Sequence, residues 1–134
     1  MELQERIDAF LADGPHAVVG ASTDRAKYGN KVLRAYQQNG MPVYPINPKA
    51  TEVEALTAYP DLMSVPEPLF GVSIITPPPV TDVVLDQIAS LGIRHVWLQE
   101  GSENPAVLEK ARRLDLDVIA GGPCVLVALH YRED

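Results

Sequence analysis

The sequence predicts an α/β protein built on a doubly wound, five-stranded parallel sheet with helices on both faces. Three observations carry that expectation. Short apolar runs of strand length alternate with longer stretches whose apolar residues recur at helical spacing. Glycine, proline and asparagine mark the junctions between them. Polar and glycine residues gather just after each apolar run, where sheets of this class bind ligands. Strands that alternate with helices pair in parallel, bury both sheet faces and connect by right-handed crossovers.

Leu3, Ile7, Phe10 and Leu11 fall on one helical face, and Gly14-Pro15 ends that helix. "HAVVGA" (16–21) reads as the first strand. After a polar loop, Val32, Leu33, Tyr36 and Gln37 predict a helix that stops at Asn39-Gly40. "MPVYPIN" (41–47) is the second strand, closed by Pro48. Residues 50–70 read as irregular, with a short helical turn near Pro60-Asp61-Leu62.

"GVSIIT" (71–76) is the third strand, stopped by Pro77-Pro78-Pro79. A helix follows from Val80 to Leu91, with Val83, Val84, Ile88 and Leu91 inward and Gly92 as its stop. "RHVWLQ" (94–99) is the fourth strand. Asn104-Pro105 opens a helix through Leu114, because asparagine caps well and proline suits the first helical position. "LDVIAG" (116–121) is the fifth strand, and Cys124 to Tyr131 forms a short final segment.

Composition excludes several classes. At 134 residues, 46% hydrophobic and 22% charged, the chain is of ordinary globular type and one domain is expected over residues 1–134. The opening "MELQERIDAFLADG" carries acidic residues where a secretory leader has a basic segment, so no leader is expected and a cytoplasmic location is. No apolar run approaches the length of a membrane span. The net charge of −7 argues against a nucleic-acid partner, which needs many lysine and arginine contacts to phosphates. It does not oppose a small anionic ligand, which responds to local field and backbone donors. Cys124 is the lone cysteine, so neither an internal disulfide nor a multi-cysteine metal site is expected.

The predicted strand ends define a candidate site. The first ends in Gly20-Ala21-Ser22-Thr23, within a loop "GASTDRAKYGN" that runs to Asn30 and lacks the closely spaced glycines of the common dinucleotide fingerprint. Gly20 lets the backbone turn beside a ligand, where a side chain would block its approach. Amides near Gly29 and Asn30, at a helix start, suit a phosphate, with Ser22 and Lys27 assisting. The second strand ends in Asn47-Pro48-Lys49, the third in Thr76-Pro77-Pro78, the fourth in Gln99-Glu100 and the fifth in Gly121-Gly122. Each cluster alone reads as turn residues; five around one long loop read as a nucleotide site.

A site for NAD would place an acidic residue at the end of the second strand to hold the ribose hydroxyls. Here that position offers Asn47 and Lys49, which suit a phosphorylated ribose. NADP and coenzyme A both carry one, so an NADP-binding oxidoreductase or redox sensor stands beside a CoA-binding protein.

The segments "AVVGASTDRAKYGNKVLRAYQQNGMPVYPINPK", "TPPP", "HVWLQEGSEN" and "GGPC", in that order, resemble the small stand-alone CoA-binding proteins. These are similar to the N-terminal CoA-binding domain of the succinyl-CoA synthetase alpha subunit. The resemblance spans roughly residues 15–125 and implies a Rossmann-like fold with CoA or an acyl-CoA as ligand, held by a non-catalytic or regulatory module that serves a possible partner enzyme. By it, the Gly20–Asn30 loop, with Ala21, Tyr28 and the donors Ser22, Thr23 and Lys27, meets the pyrophosphate. Asn47, Pro48 and Lys49 lie at the adenosine end, with Lys49 near the ribose phosphate. Thr76, Pro77 and Pro78 wall the adenine pocket, and Gln99 and Glu100 border the pantetheine. The chain departs from many relatives in having Gly121-Gly122-Pro123 before its cysteine, where they carry a basic residue.

The synthetase of this resemblance uses a phosphohistidine supplied by another domain. His16 and His95 each begin a strand, at the end of the sheet away from the site, which gives them structural or surface roles. His130 is expected to be exposed. Cys124 reads as a small buried side chain, and is also the one candidate nucleophile, for acyl transfer.

Overall fold

The computed structural model describes residues 2–133. Helix α1 (Leu3–Leu11) leads into strand β1 (His16–Val19), helix α2 (Tyr28–Gln38) and strand β2 (Val43–Ile46). Strands β3 (Glu52–Val53) and β4 (Leu56–Thr57) follow, then a 3-10 turn (Leu62–Ser64), strand β5 (Gly71–Ile74) and helix α3 (Pro78–Ser90). Strand β6 (His95–Leu98), helix α4 (Pro105–Arg113), strand β7 (Asp117–Ile119) and the short helix α5 (Val125–Ala128) complete the chain.

The main sheet has the order β2-β1-β5-β6-β7, all parallel. This is the expected five-stranded Rossmann-like sheet. Alternation along each strand divides the core. Val18 and Trp97 face α1, α2 and α5, where they pack with Phe10, Val32, Leu33, Tyr36 and Val125. Ala17, Val19, Val72, Ile74, Val96 and Leu98 face the opposite way, against Val84, Leu85 and Ile88 of α3 and Val107 and Ala111 of α4. Ser73 lies on the α2 side of β5, fully buried, and its hydroxyl is satisfied by Tyr36 Oη at 2.7 Å.

Three local expectations need correction. Residues 50–70 are not wholly irregular, because β3 and β4 form a small antiparallel hairpin. Its turn residues Glu54 and Ala55 have φ of 49° and 66°, the left-handed geometry of a tight hairpin turn, reached here without glycine or asparagine. Helix α3 begins at Pro78, not Val80, so two of the three prolines open the helix, where no N–H is needed. The strands end earlier than their apolar runs, β1 at Val19, because the chain bends into the site at Gly20, whose φ is 95°. The turn near Pro60 is present, with Asp61 Oδ1 accepting from the Ser64 amide at 2.9 Å.

The histidines lie where expected. His16 is fully buried, with Nε2 2.7 Å from the Phe10 carbonyl oxygen, and His95 stacks on Phe70 at 4.3 Å. Both begin strands and are remote from the strand carboxyl ends. His130 is exposed. Among the described residues, no helix is long and apolar enough to cross a membrane.

Candidate functional site

Strand order reverses at β1. The chain leaves β1 toward β2 on one side and later returns to β5 on the other, so α2 and α3 lie on opposite faces of the sheet. Diverging connections leave a crevice beyond the carboxyl ends of these strands. A cleft of about 670 Å³ opens there.

The cleft is shaped by close backbone contact. A Cβ on Gly29 would lie 2.0 Å from the Gly20 carbonyl oxygen, and one on Gly20 would lie 2.6 Å from the Ile75 carbonyl oxygen. The first turn of α2 is thereby pressed against the end of β1. The N–H groups of Tyr28, Gly29 and Asn30, in the first turn of this 11-residue helix, have no acceptor within it. Together with the helix dipole they favour an anion. A side chain at Gly20, expected from the sequence to obstruct a ligand, would also strike the Ile75 carbonyl.

Two asparagines fix the loop. Asn47 donates Nδ2 to the Ala21 carbonyl at 2.8 Å, while its Oδ1 accepts from the amides of Lys49 and Ala50. Asn30 donates Nδ2 to the Ser22 carbonyl at 2.8 Å and to Glu54 Oε2 at 3.1 Å, and accepts from Arg34 Nε at 2.7 Å. Both bonds turn loop carbonyls toward the protein, away from an incoming anion. Ser22 Oγ accepts from the Asp24 amide at 3.0 Å, which leaves its O–H free to donate. Arg25 pairs with Glu54, tying the loop to the β3–β4 hairpin.

Of the residues expected from sequence, Gly20, Ala21, Ser22, Lys27, Tyr28 and Gly29 line the cleft from the β1 side. Asn47, Pro48 and Lys49 line it from β2, and Thr76 and Pro77 from β5. Ile46 and Ile75 also line it; as the last apolar residues of predicted strands they carried no polar signal. Thr23 is exposed outside this lining, and Pro78 starts α3. Asn30 is fully buried, its side chain engaged as a clamp. Lys27 and Lys49 are exposed and form no ion pair among the described residues.

On the α3 face a second recess of about 260 Å³ adjoins the cleft and shares Gly20, Ile46, Pro48 and Thr76 with it. Pro60, Val80 and Val83 give it apolar walls, and Asp61 and Gln87 stand among its lining. Val80 and Val83 are exposed at 47% and 54% and Leu91 at 45%, which corrects the expectation that Val83 and Leu91 face inward with Val84 and Ile88.

Gln99 and Glu100 lie beyond β6. Glu100 is exposed, whereas Gln99 is 2% exposed and accepts a hydrogen bond at Oε1 from Tyr28 Oη at 2.7 Å. Tyr28 Oη also touches Cys124 Sγ, so Cys124 is half-buried and polar in its contacts, not a plain apolar filler. Burial, then the contact with Cys124 and the nearby Glu100 carboxylate, push the Tyr28 phenol well above its usual range. Gln99 Nε2 and Glu103 Oε2 are buried without partners among the described residues. Burial and the charge of Glu100 raise the Glu103 carboxyl, while the Gly101 amide opposes them. Among the described residues, no cluster of three or more histidine, cysteine or acidic side chains is arranged to hold a metal ion.

The sequence matches the family of CoA binding domains over residues 16–130, and the chain belongs to that family. It is 29% identical over 132 residues to the acetate–CoA ligase [ADP-forming] II subunit alpha of Pyrococcus furiosus, covering 89% of this chain and 28% of that one. It is 31% identical over 80 residues to acetate–CoA ligase [ADP-forming] II of Archaeoglobus fulgidus, covering 58% of this chain and 12% of the ligase. The chain thus spans under a third of the length of these curated relatives. The solved structure of a hypothetical protein from Pyrococcus horikoshii OT3 superposes with a TM-score of 0.87 at 26% identity, covering 97% of this chain and 90% of that one.

Proposed function

We propose that this member of the CoA binding domain family holds coenzyme A, or an acyl-CoA, in the cleft beyond β1, β2 and β5, as a module that regulates or serves a partner enzyme. The observation that carries the proposal is the start of α2, whose unpaired amides open onto a cleft flanked by Lys27 and Lys49. That set fits a pyrophosphate with a second phosphate nearby. Lys49 stands at the end of β2, where a free ribose diol would meet an acid. The adjoining recess, walled by Pro48, Pro60, Val80 and Val83, suits a flat purine, and exposed valines gain by covering it. Gln99 Nε2, buried without an acceptor among the described residues beside Tyr28, is the donor we assign to an amide or thioester carbonyl of the arm.

The chain's own residues would bind and orient the nucleotide; the thiol that carries acyl groups comes with CoA. The P. furiosus relative is an acetate–CoA ligase subunit far longer than its matched segment, which supports a role beside acyl-CoA chemistry performed elsewhere. Mass spectrometry of small molecules released on denaturing the purified protein, with thermal shifts for added CoA and NADP, tests the proposal. CoA or an acyl-CoA is expected, with a rise in melting temperature at millimolar CoA. A ligand at a hundredfold excess over Kd stabilises by about 2.7 kcal/mol. Release of NADP, or a shift with NADP alone, would replace the proposal with a dinucleotide-dependent oxidoreductase or sensor.

A further inference from the structure

Tyr28, Gln99 and Cys124 come from three distant stretches of the chain and meet beside the cleft that Tyr28 lines. Tyr28 has one hydroxyl proton, and it donates that proton to Gln99 Oε1 at 2.7 Å. Cys124 Sγ touches the same oxygen, so a protonated Cys124 donates its S–H to Tyr28. The bonds run one way, from sulfur to phenol to amide. They end on a side chain 2% exposed whose Nε2 lacks any acceptor among the described residues. A buried amide donor left unpaired is costly, and this one belongs to the amide whose oxygen holds the Tyr28 hydroxyl that Cys124 touches.

The loop that carries Cys124 is held in place yet open. Trp97, fully buried in β6, donates Nε1 to the Pro123 carbonyl at 2.9 Å. Gly121 and Gly122 have φ of 86° and 119°, and nothing lies within 4 Å of where a Cβ on either would stand. Cys124 itself is only half-buried.

We propose that Cys124 is a thiol–disulfide exchange site for the thiol end of CoA, an assignment that rests on the CoA reading above. Offered the disulfide of CoA, the Cys124 thiolate attacks one of its two sulfurs. The Cys124–CoA disulfide bond forms as the original S–S bond breaks, and Cys124 expels the second CoA as its thiolate, which takes up the proton that Cys124 gave to solvent. One disulfide is consumed and one is made, so no further oxidant or reductant is required. Tyr28 assists by turning its O–H from Gln99 to the sulfur once Cys124 is ionised, giving a charge-assisted bond. The adduct would tie the occupancy of the cleft to the redox state of the CoA pool.

Reduced protein, freed of reductant, is mixed with CoA disulfide or with glutathione disulfide at equal concentration and followed by intact mass. The expected product is a single adduct with the mass of one CoA less a hydrogen from each thiol, on the peptide containing Cys124, reversed by dithiothreitol. It should form about tenfold faster than the glutathione adduct, because binding places the sulfurs together. Adenosine 3′,5′-bisphosphate, which fills the nucleotide end without a thiol, should slow it, and Cys124→Ser should abolish it. Calorimetry of reduced wild type with CoA reads the underlying binding separately. Binding of CoA without adduct, or equal rates with both disulfides and no effect of the bisphosphate, overturns the assignment. No binding of CoA overturns the reading beneath it and this assignment together.

Discussion

Gly29 meets Gly20 backbone to backbone: a Cβ on Gly29 would stand 2.0 Å from the Gly20 carbonyl oxygen. The helix that presents the amides is therefore seated on the strand that precedes the loop, with no space for even one methyl group. Gly29→Ala should lose about 1–3 kcal/mol of stability through overpacking, read as a lower urea midpoint with an unchanged slope. Gly20→Val should do worse, since it adds contact with the Ile75 carbonyl to an unfavourable φ of 95°. It is expected to unfold more easily as well as to lose CoA. A wild-type midpoint for Gly29→Ala would show that the two elements separate without cost.

Asn30 joins the loop to the interior. Asn30→Ala removes its bonds to Ser22, Glu54 and Arg34 at once, and leaves Arg34, only 6% exposed, without one of its acceptors. A loss of about 2–3 kcal/mol is expected by thermal or urea unfolding, with CoA binding weakened at temperatures where the variant is still folded. Unchanged CoA affinity in a folded Asn30→Ala variant would separate the clamp from the site.

Lys49 is the residue we propose distinguishes between ligands. If its ammonium meets the ribose 3′-phosphate, CoA should bind more tightly than dephospho-CoA by about 1–2 kcal/mol, or roughly five- to thirtyfold. Lys49→Ala should erase most of that preference while changing dephospho-CoA binding little, and added salt should shrink the preference. Calorimetry of both proteins with both ligands closes the cycle. Equal weakening of the two ligands places the phosphate elsewhere.

His16 gives a pH dependence unrelated to the ligand. Burial lowers its pKa below 6.5, outweighing the Phe10 carbonyl and Asp13, which raise it, while His95 lowers it further. The folded protein thus holds His16 neutral where the unfolded chain has begun to bind a proton. Stability is full above 6.5 and falls as pH drops below it, by at most about 1.4 kcal/mol per pH unit. Urea midpoints measured from pH 8 to 5 should show this decline in wild type. In His16→Gln the slope over that window should be smaller, whatever its absolute stability.

The strands were legible because each is a short apolar run that ends on glycine, proline or asparagine, and because buried parallel strands need no alternation with solvent. Their turn residues also line the cleft, so most of its lining followed from the same signal. Asn30 was legible only as part of the loop: helical spacing cannot tell that its side chain turns inward to Ser22 and Arg34. The β3–β4 hairpin was hidden since Glu54 and Ala55 adopt left-handed backbone without a residue that advertises it. Pro77-Pro78-Pro79 signalled a break, and the sequence could not separate a strand stop from a helix start that does both. The contact of Tyr28 with Gln99 and Cys124 spans 71 and 96 residues and has no local signature.

Hydrogen–deuterium exchange with and without CoA tests most directly whether the ligand binds, and whether it binds beyond β1, β2 and β5. Peptides covering 20–30, 46–50 and 75–80 should exchange more slowly with saturating CoA, the first most of all because its helix amides gain acceptors. Peptides covering 105–119, on the far side of the sheet, should be unchanged apart from any global stabilisation. Protection confined to other segments, or none at saturating CoA, would contradict the account.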